Sequence, residues 1–390
     1  MPVPNVLVSV GELSGDLYAR RMIEALRRRW GEAVHFWGMG GPETAAAGVE
    51  VVVPMTDLQV HGVVEVLPNL IRLFRAFRRL VEEAERRRPA WAFLVDFQDF
   101  HLRLARELKR RGIRVIQMVG PTVWAWRPGR VRALREAVDK LLVIFPFEET
   151  IFREAGIDAD YIGHPLLDIV RVSLGRDAFM AQQGWTPDAK VVGLLPGSRP
   201  SEVRRLLPIL LEAVRTLSTD RRIQPFLVRA ATIPEATVRS MAARYGMPDL
   251  PTVSGPARYD WMANADLLIG AAGTVTMEAL LVRTPMIVVY KLHPLNWWIA
   301  RRLVRIRYAS MVNILAGEMV VPELLQDACT PTAIARLARD LLDRPDRRRR
   351  IIERYLEVID GLGCLHAFEE GPRVIEEAVR RWMEDSAVRQ

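Results

Sequence analysis

The sequence predicts an α/β protein built from two doubly wound parallel-sheet domains, and three observations predict it. Short apolar runs recur along the chain, each closing in a polar or glycine-rich turn that leads into a helical pattern. The series fades over residues 163–189, where periodicity weakens, and starts again at Val191. The chain is 390 residues long, more than one ordinary domain holds.

In chain order, residues 6–10 read as a buried parallel strand. Gly11-Glu12-Leu13-Ser14-Gly15-Asp16 is a small-residue turn, and a helix follows to about Trp30. Residues 34–37 form the next strand, closed by Gly38-Met39-Gly40-Gly41-Pro42. Strands at 91–95, 114–119 and 140–145 end at Asp96, at Gly120-Pro121 and at Pro146. The second series has strands at 191–195, 224–228, 266–269 and 286–290, and after about Pro331 the pattern is helical and arginine-rich. The expected division is 1–170, 171–345 and a helical C-terminal segment 346–390, which folds back on the first domain or onto a partner subunit. In such sheets ligands bind beyond the carboxyl ends of the strands, where these turns lie.

Composition narrows the function classes. Half the residues are hydrophobic and 26% are charged, as in a soluble globular protein, and no apolar run approaches the roughly 18 residues of a membrane span. Met1-Pro2-Val3-Pro4-Asn5 lacks a basic n-region, so no signal peptide is expected. Two cysteines, Cys329 and Cys364, fit a reducing cytoplasm better than a disulfide framework. The net charge of +8 and the pI near 9.9 favour anionic partners. No nucleic-acid-binding signature accompanies that charge, so phosphorylated substrates or anionic lipid are expected rather than nucleic acid. The six histidines show no paired ligand spacing, and no metal is expected.

Three places can carry chemistry. Leu195-Pro196-Gly197-Ser198-Arg199 ends an aliphatic strand and opens a helix, with Ser201 expected as its N-cap and Glu202 in its first turn. Free backbone N–H groups at Gly197 and Ser198, with the Arg199 guanidinium, make an anion site. Gly270-Ala271-Ala272-Gly273-Thr274 repeats that design, and Glu278 follows one turn into the helix, where a carboxylate can accept hydrogen bonds from a ribose diol. Neither turn is a Walker A loop. Asp96 stands directly after an apolar strand, placed to take a proton from an incoming hydroxyl, and Asp99 is expected to cap the helix that follows. The bland readings are a helix cap for Asp96 and an ordinary exposed helix residue for Glu278. Two amphipathic stretches, 70–81 and 295–305, combine apolar faces with arginines and suit either an anionic membrane surface or packing on their own sheets.

These motifs together resemble the lipid-A-disaccharide synthase family, inverting glycosyltransferases of the glycosyltransferase-B fold. The resemblance rests on the Gly11–Asp16 turn, Gly40-Gly41-Pro42, the stretch from Gly62 to Pro68 and Val123-Trp124-Ala125-Trp126-Arg127. It continues through Pro146-Phe147-Glu148, Gly163-His164-Pro165, the Arg199 turn and Gly273-Thr274 with Glu278, and ends with 313–317 and 322–326. It implies transfer of 2,3-diacylglucosamine from UDP to the 6-hydroxyl of 2,3-diacylglucosamine 1-phosphate, giving a β-1,6 disaccharide and UDP. It implies Asp96 as base and Arg199 as the group offsetting charge on the leaving UDP. Gly11, Ser14 and Gly15, with Gly197, Ser198, Gly273, Thr274, Glu278, Asn313 and Gln326, are then substrate-binding residues. The first domain faces acceptor and membrane, the second holds the UDP-sugar, and the two face each other across a cleft. The enzyme is then cytoplasmic and peripheral on the inner face of the membrane, without a metal or other cofactor, and a homodimer is possible.

The chain departs from the family around the expected base. Asp96-Phe97-Gln98-Asp99-Phe100-His101 stands where Asp-Ala-Pro-Asp-Phe-Asn is usual, His61 replaces a Met, Gly120 and Thr122 stand where Ser is common, and Ala272 replaces a Ser. These departures keep open the same chemistry on another glycolipid acceptor; a UDP-sugar 2-epimerase, which shares the two-domain fold, and a non-catalytic binder of nucleotide-sugar or lipid are the further alternatives.

Overall fold

A computed structural model of the chain describes residues 5–31, 34–55, 66–121, 130–218, 222–292, 297 and 307–388. Contacts divide it into two units, Met1–Asp168 with Leu362–Gln390, and Ile169–Gly361.

The first unit holds seven parallel strands: β1 (Asn5–Val10), β2 (His35–Gly40), β3 (Glu50–Pro54), β4 (Trp91–Val95), β5 (Arg114–Met118), β6 (Lys140–Val143) and β7 (Ala159–Tyr161). Their order is β3-β2-β1-β4-β5-β6-β7. The helices between them are α1 (Leu13–Trp30), α2 (Pro42–Ala46), α3 (Val66–Arg87), α4 (Gln98–Arg110), α5 (Arg130–Ala137) and α6 (Pro146–Glu154). β1 and β4 are central and covered on both faces, which is why Val6, Leu7 and Val8 and all of Trp91–Val95 are buried without alternation.

After α7 (Pro165–Ile169) and α8 (Arg176–Gln183), the second unit repeats the scheme. Its strands are β8 (Lys190–Leu195), β9 (Ile223–Val228), β10 (Thr252–Val253), β11 (Leu267–Ala271), β12 (Met286–Tyr290) and β13 (Glu323–Leu325), in the order β10-β9-β8-β11-β12-β13. α9 (Pro200–Leu217), α10 (Glu235–Arg244), α11 (Arg258–Ala263), α12 (Thr274–Leu281) and α13 (Met311–Ala316) accompany them. α14 (Pro331–Asp343), α15 (Pro345–Gly361) and α16 (Ala367–Val388) end the chain.

The nine strands expected from the apolar runs are all present. β3, β7, β10 and β13 are additions, and each is an edge of its sheet. An edge strand pairs on one side only and stays half exposed, so it is short and carries no uninterrupted buried run.

Three local expectations are corrected. α9 starts at Pro200 with Arg199 in the cap position, so Ser201 lies inside the first turn; proline's fixed φ suits the first helical position. α4 starts at Gln98 behind Phe97, so Asp99 is also inside its helix rather than its cap. The expected C-terminal segment 346–390 is split at 361/362. α15 stays with the second unit, where Tyr355 is fully buried. α16 lies on α1, with Gly371 so close that an added Cβ would sit 2.4 Å from Met22 Cε. The return is pinned within the first unit: Tyr161 Oη donates to Leu362 O at 2.6 Å, and His366 Nδ1 lies 2.6 Å from Asp168 Oδ1. Gly163, at φ +91°, leaves no space for a Cβ beside Leu365 O.

Candidate functional site

Each sheet reverses its winding once, β1 beside β4 in the first unit and β8 beside β11 in the second. At such a switch point the turns leave in opposite directions and open a crevice at the carboxyl ends of the strands. All the expected site residues except Asn313 and Gln326 stand on the four turns at these two points or, like Glu278, in the helix that follows one of them.

In the first unit the β1–α1 turn meets the end of β4. Asp96 has a left-handed backbone, φ +50°, which is uncommon for a residue with a Cβ. Its N–H donates to Met118 O at 3.3 Å. The Ser14 hydroxyl donates to Asp96 Oδ2 at 3.0 Å. Gly15 permits that approach, since a Cβ there would lie 3.0 Å from Asp96 Cβ and 3.2 Å from Val95 O. A Cβ on Gly11 would fall 2.1 Å from the Phe97 ring. Behind the turn Asp16 accepts the N–H groups of Gly41, Glu43 and Thr44 at 3.0, 2.9 and 3.1 Å, and so ties α1 to the start of α2.

Phe97 stacks on Phe100 with centroids 5.2 Å apart, and His101 lies edge-on to Phe97. His101 is fully buried with Nε2 2.9 Å from Ser9 Oγ, and burial pushes its pKa down to about 3. It is therefore a neutral core residue behind the site, with Nε2 held by Ser9 and Nδ1 buried without a hydrogen-bond partner among the described residues.

In the second unit, the β8 turn has Gly197 at φ +109°, and a Cβ on it would lie 2.5 Å from Glu202 Oε2. Glu202 reaches back to the turn, 3.4 Å from both the Arg199 N–H and its guanidinium. Ser198 O accepts the Thr232 hydroxyl at 2.9 Å. Beside it Gly270 closes on Leu195, while Gly273, in the cap position of α12, faces open space, and Thr274 begins the helix. Glu278 is buried and not an exposed helix residue; Arg258 Nη2 donates to its Oε1 at 2.6 Å, and the Tyr259 hydroxyl lies 3.4 Å away.

Asn313 and Gln326 are used differently. Asn313 is wholly buried; its Oδ1 accepts from Val320 and Val321, and its Nδ2 donates to Val321 O and to Glu323 Oε1. Every hydrogen-bonding valence of the amide is taken, so it braces β13 and has none left for a ligand. Gln326, left-handed at φ +51°, pairs through its side-chain amide with Leu292 N and O, both at 3.0 Å. Arg258, Tyr259 and Thr232 are site neighbours that the sequence did not single out, since nothing local marks which turn they reach.

His61, Thr122, residues 62–65 and 123–127, and 295–305 apart from Trp297 lie outside the described residues, as do the side chains of 66–70. Among the described residues no group of three His, Cys, Asp or Glu is placed to hold a metal ion.

Two doubly wound units, each gathering its polar residues at the switch point, form the architecture of glycosyltransferase-B enzymes. The structure of CalG4, the calicheamicin glycosyltransferase, matches with a TM-score of 0.59 over 98% of this chain and 99% of its own, at 14% identity. UDP-GlcNAc 2-epimerase from Neisseria meningitidis, bound to UDP-GlcNAc, matches at 0.61 over 97% of this chain and all of its own, at 9% identity. Fold alone thus does not separate transferase from epimerase; sequence does. The family profile described as Lipid-A-disaccharide synthetase matches residues 6–361. The Lipid-A-disaccharide synthase of Solibacter usitatus (strain Ellin6076) is 42% identical over 340 residues, 87% of this chain and 88% of the relative. The chain belongs to the lipid-A-disaccharide synthase family and is a glycosyltransferase.

Proposed function

We propose that the chain transfers 2,3-diacylglucosamine from UDP to the 6-hydroxyl of 2,3-diacylglucosamine 1-phosphate, with Asp96 as general base. The hydroxyl oxygen attacks the anomeric carbon, its proton passes to the Asp96 carboxylate, and the bond from that carbon to the diphosphate oxygen breaks. Attack opposite the departing group gives the β-1,6 linkage and UDP. A positioned base is worth roughly 10²–10⁴-fold in rate.

UDP belongs to the second unit in this reading. The N–H groups of the Gly197–Arg199 and Gly273–Thr274 turns and the Arg199 guanidinium receive the diphosphate, whose negative charge grows as the bond breaks. Glu278, oriented by Arg258, accepts the ribose hydroxyls. The cation at the diphosphate is Arg199, and in this reading the step uses no metal or other cofactor. The observation that carries the reading is the placement of Asp96 at one switch point and the Arg199 turn at the other, in a chain of this family.

No helix among the described residues is long and apolar enough to cross a membrane. The acyl chains of both substrates call for a bilayer surface, and α3 supplies a means of reaching one from the cytoplasmic side. Phe77 and Val81 pack on the core, but Ile71 and Phe74 are 53% and 61% exposed, with Arg72 and Arg75 exposed beside them. An apolar pair among arginines suits an anionic lipid surface.

The test is UDP release from UDP-2,3-diacylglucosamine, with and without 2,3-diacylglucosamine 1-phosphate, in wild type and Asp96→Ala. Release that needs the acceptor and collapses in the variant supports the reading. Release without acceptor points to hydrolysis or epimerase-like chemistry, and turnover only with another lipid changes the acceptor.

A further inference from the structure

We infer that Gly11 and the first turn of α1 form a mould for the Asp96 carboxylate, with Ser14 a positioning residue rather than a substrate contact. This rests on Asp96 being the base. Three contacts from Gly11 and the first turn of α1 converge on three successive residues: Gly11 on the Phe97 ring, Ser14 on Asp96 Oδ2, and Gly15 on Asp96 Cβ and Val95 O. A side chain on either glycine would push the turn away from the end of β4. The spacing of small residues that reads as a ligand loop is thus accounted for by a protein group.

Both ends of the Ser14–Asp96 bond are anchored. On the α1 side, Asp16 is held by three backbone N–H groups and by the Thr44 hydroxyl at 2.7 Å, so the first turn of the helix has a fixed position. On the β4 side, the Asp96 N–H is held by Met118 O, and the left-handed backbone turns the residue out of the strand direction. The Ser14 hydroxyl does not cap its own helix, whose cap position is Glu12. It donates across 82 residues of sequence instead, and fixes the rotamer of a carboxylate that must present a lone pair to an incoming hydroxyl. The titratable groups within five residues of Ser14 or Asp96 in the chain are Glu12, Asp16 and Tyr18 on the α1 side and Asp99 and His101 on the α4 side. Of these, Asp16 is committed to α2 and His101 is neutral.

The test is steady-state transfer between UDP-2,3-diacylglucosamine and 2,3-diacylglucosamine 1-phosphate by Ser14→Ala, Ser14→Thr and Asp96→Asn, with pH profiles of kcat/KM. Ser14→Ala should lose about 10–100-fold in kcat with both KM values within about twofold. The acid limb of its profile should move to higher pH, because a carboxylate that loses a donated hydrogen bond holds its proton more tightly. Ser14→Thr, which keeps the hydroxyl, should recover most of kcat and the wild-type limb, and it carries the test if the alanine variant does not fold. A raised KM in Ser14→Ala, with kcat and the limb unmoved, would overturn the inference and return Ser14 to substrate binding. Asp96→Asn that keeps wild-type kcat would overturn the base assignment itself. Asp96→Asn inactive beside a normal Ser14→Ala would overturn the positioning role alone.

Discussion

Arg258 and Glu278 are joined from adjacent helices: the guanidinium Nη2 lies 2.6 Å from the carboxylate Oε1 and the cation sits 4.3 Å from the Tyr259 ring centroid. Burial, and then the Glu278 carboxylate, push the Tyr259 hydroxyl well above the ordinary phenol range, so it remains a donor. Glu278 is thereby kept as an oriented acceptor. Arg258→Ala leaves that carboxylate largely buried without its cation, which should cost about 2 kcal/mol after allowance for partial exposure. Urea unfolding measures the loss, and the KM for the UDP-sugar should rise more than kcat falls. Unchanged stability and KM would mean that the pair is incidental.

Arg199 is the cation assigned to the leaving diphosphate. Arg199→Ala should lower kcat about 10²-fold or more, as loss of a group that meets developing charge does. Initial rates of the wild type in excess EDTA should match those without chelator. A chelator-sensitive rate restored by a divalent ion would place a metal in the step.

His101 and His164 are both fully buried and lowered to about 3 by desolvation. In the unfolded chain they take up a proton near pH 6.5, while in the folded chain they stay neutral. Their contribution to stability is therefore complete above about pH 6.5 and is lost progressively as pH falls towards 3. Urea midpoints should fall between pH 7 and pH 5, and His101→Gln should remove about one proton from the slope. An identical slope in the variant would show that carboxylates alone set the acid sensitivity.

Ile71 and Phe74 provide the membrane test. Co-sedimentation with vesicles containing anionic phospholipid should weaken at least several-fold in the Ile71→Asp, Phe74→Asp double variant, and in high salt for the wild type. UDP binding should be unaffected. Equal sedimentation of variant and wild type would remove this end of α3 from the contact.

The sequence by itself determined the architecture and the chemical types at the site. The central strands are buried on both faces, so their apolar runs are local and continuous. The turns at Gly11, Asp96, Gly197 and Gly273 stand out because polar and glycine residues interrupt those runs. Edge strands such as β10 and β13 were not legible, since a strand paired on one side needs no such run. Helix starts slipped by a residue or two because Pro200 and Gln98, not the polar residues after them, begin α9 and α4. Only the tertiary structure decided which side chains meet. It joined Ser14 to Asp96 and Arg258 to Glu278, and it spent the Asn313 amide on Val320, Val321 and Glu323 instead of leaving it for a ligand. The reason is physical: periodicity and turn chemistry act between neighbours in the chain, whereas a hydrogen bond between residues 14 and 96 exists only once sheet order has set β1 beside β4.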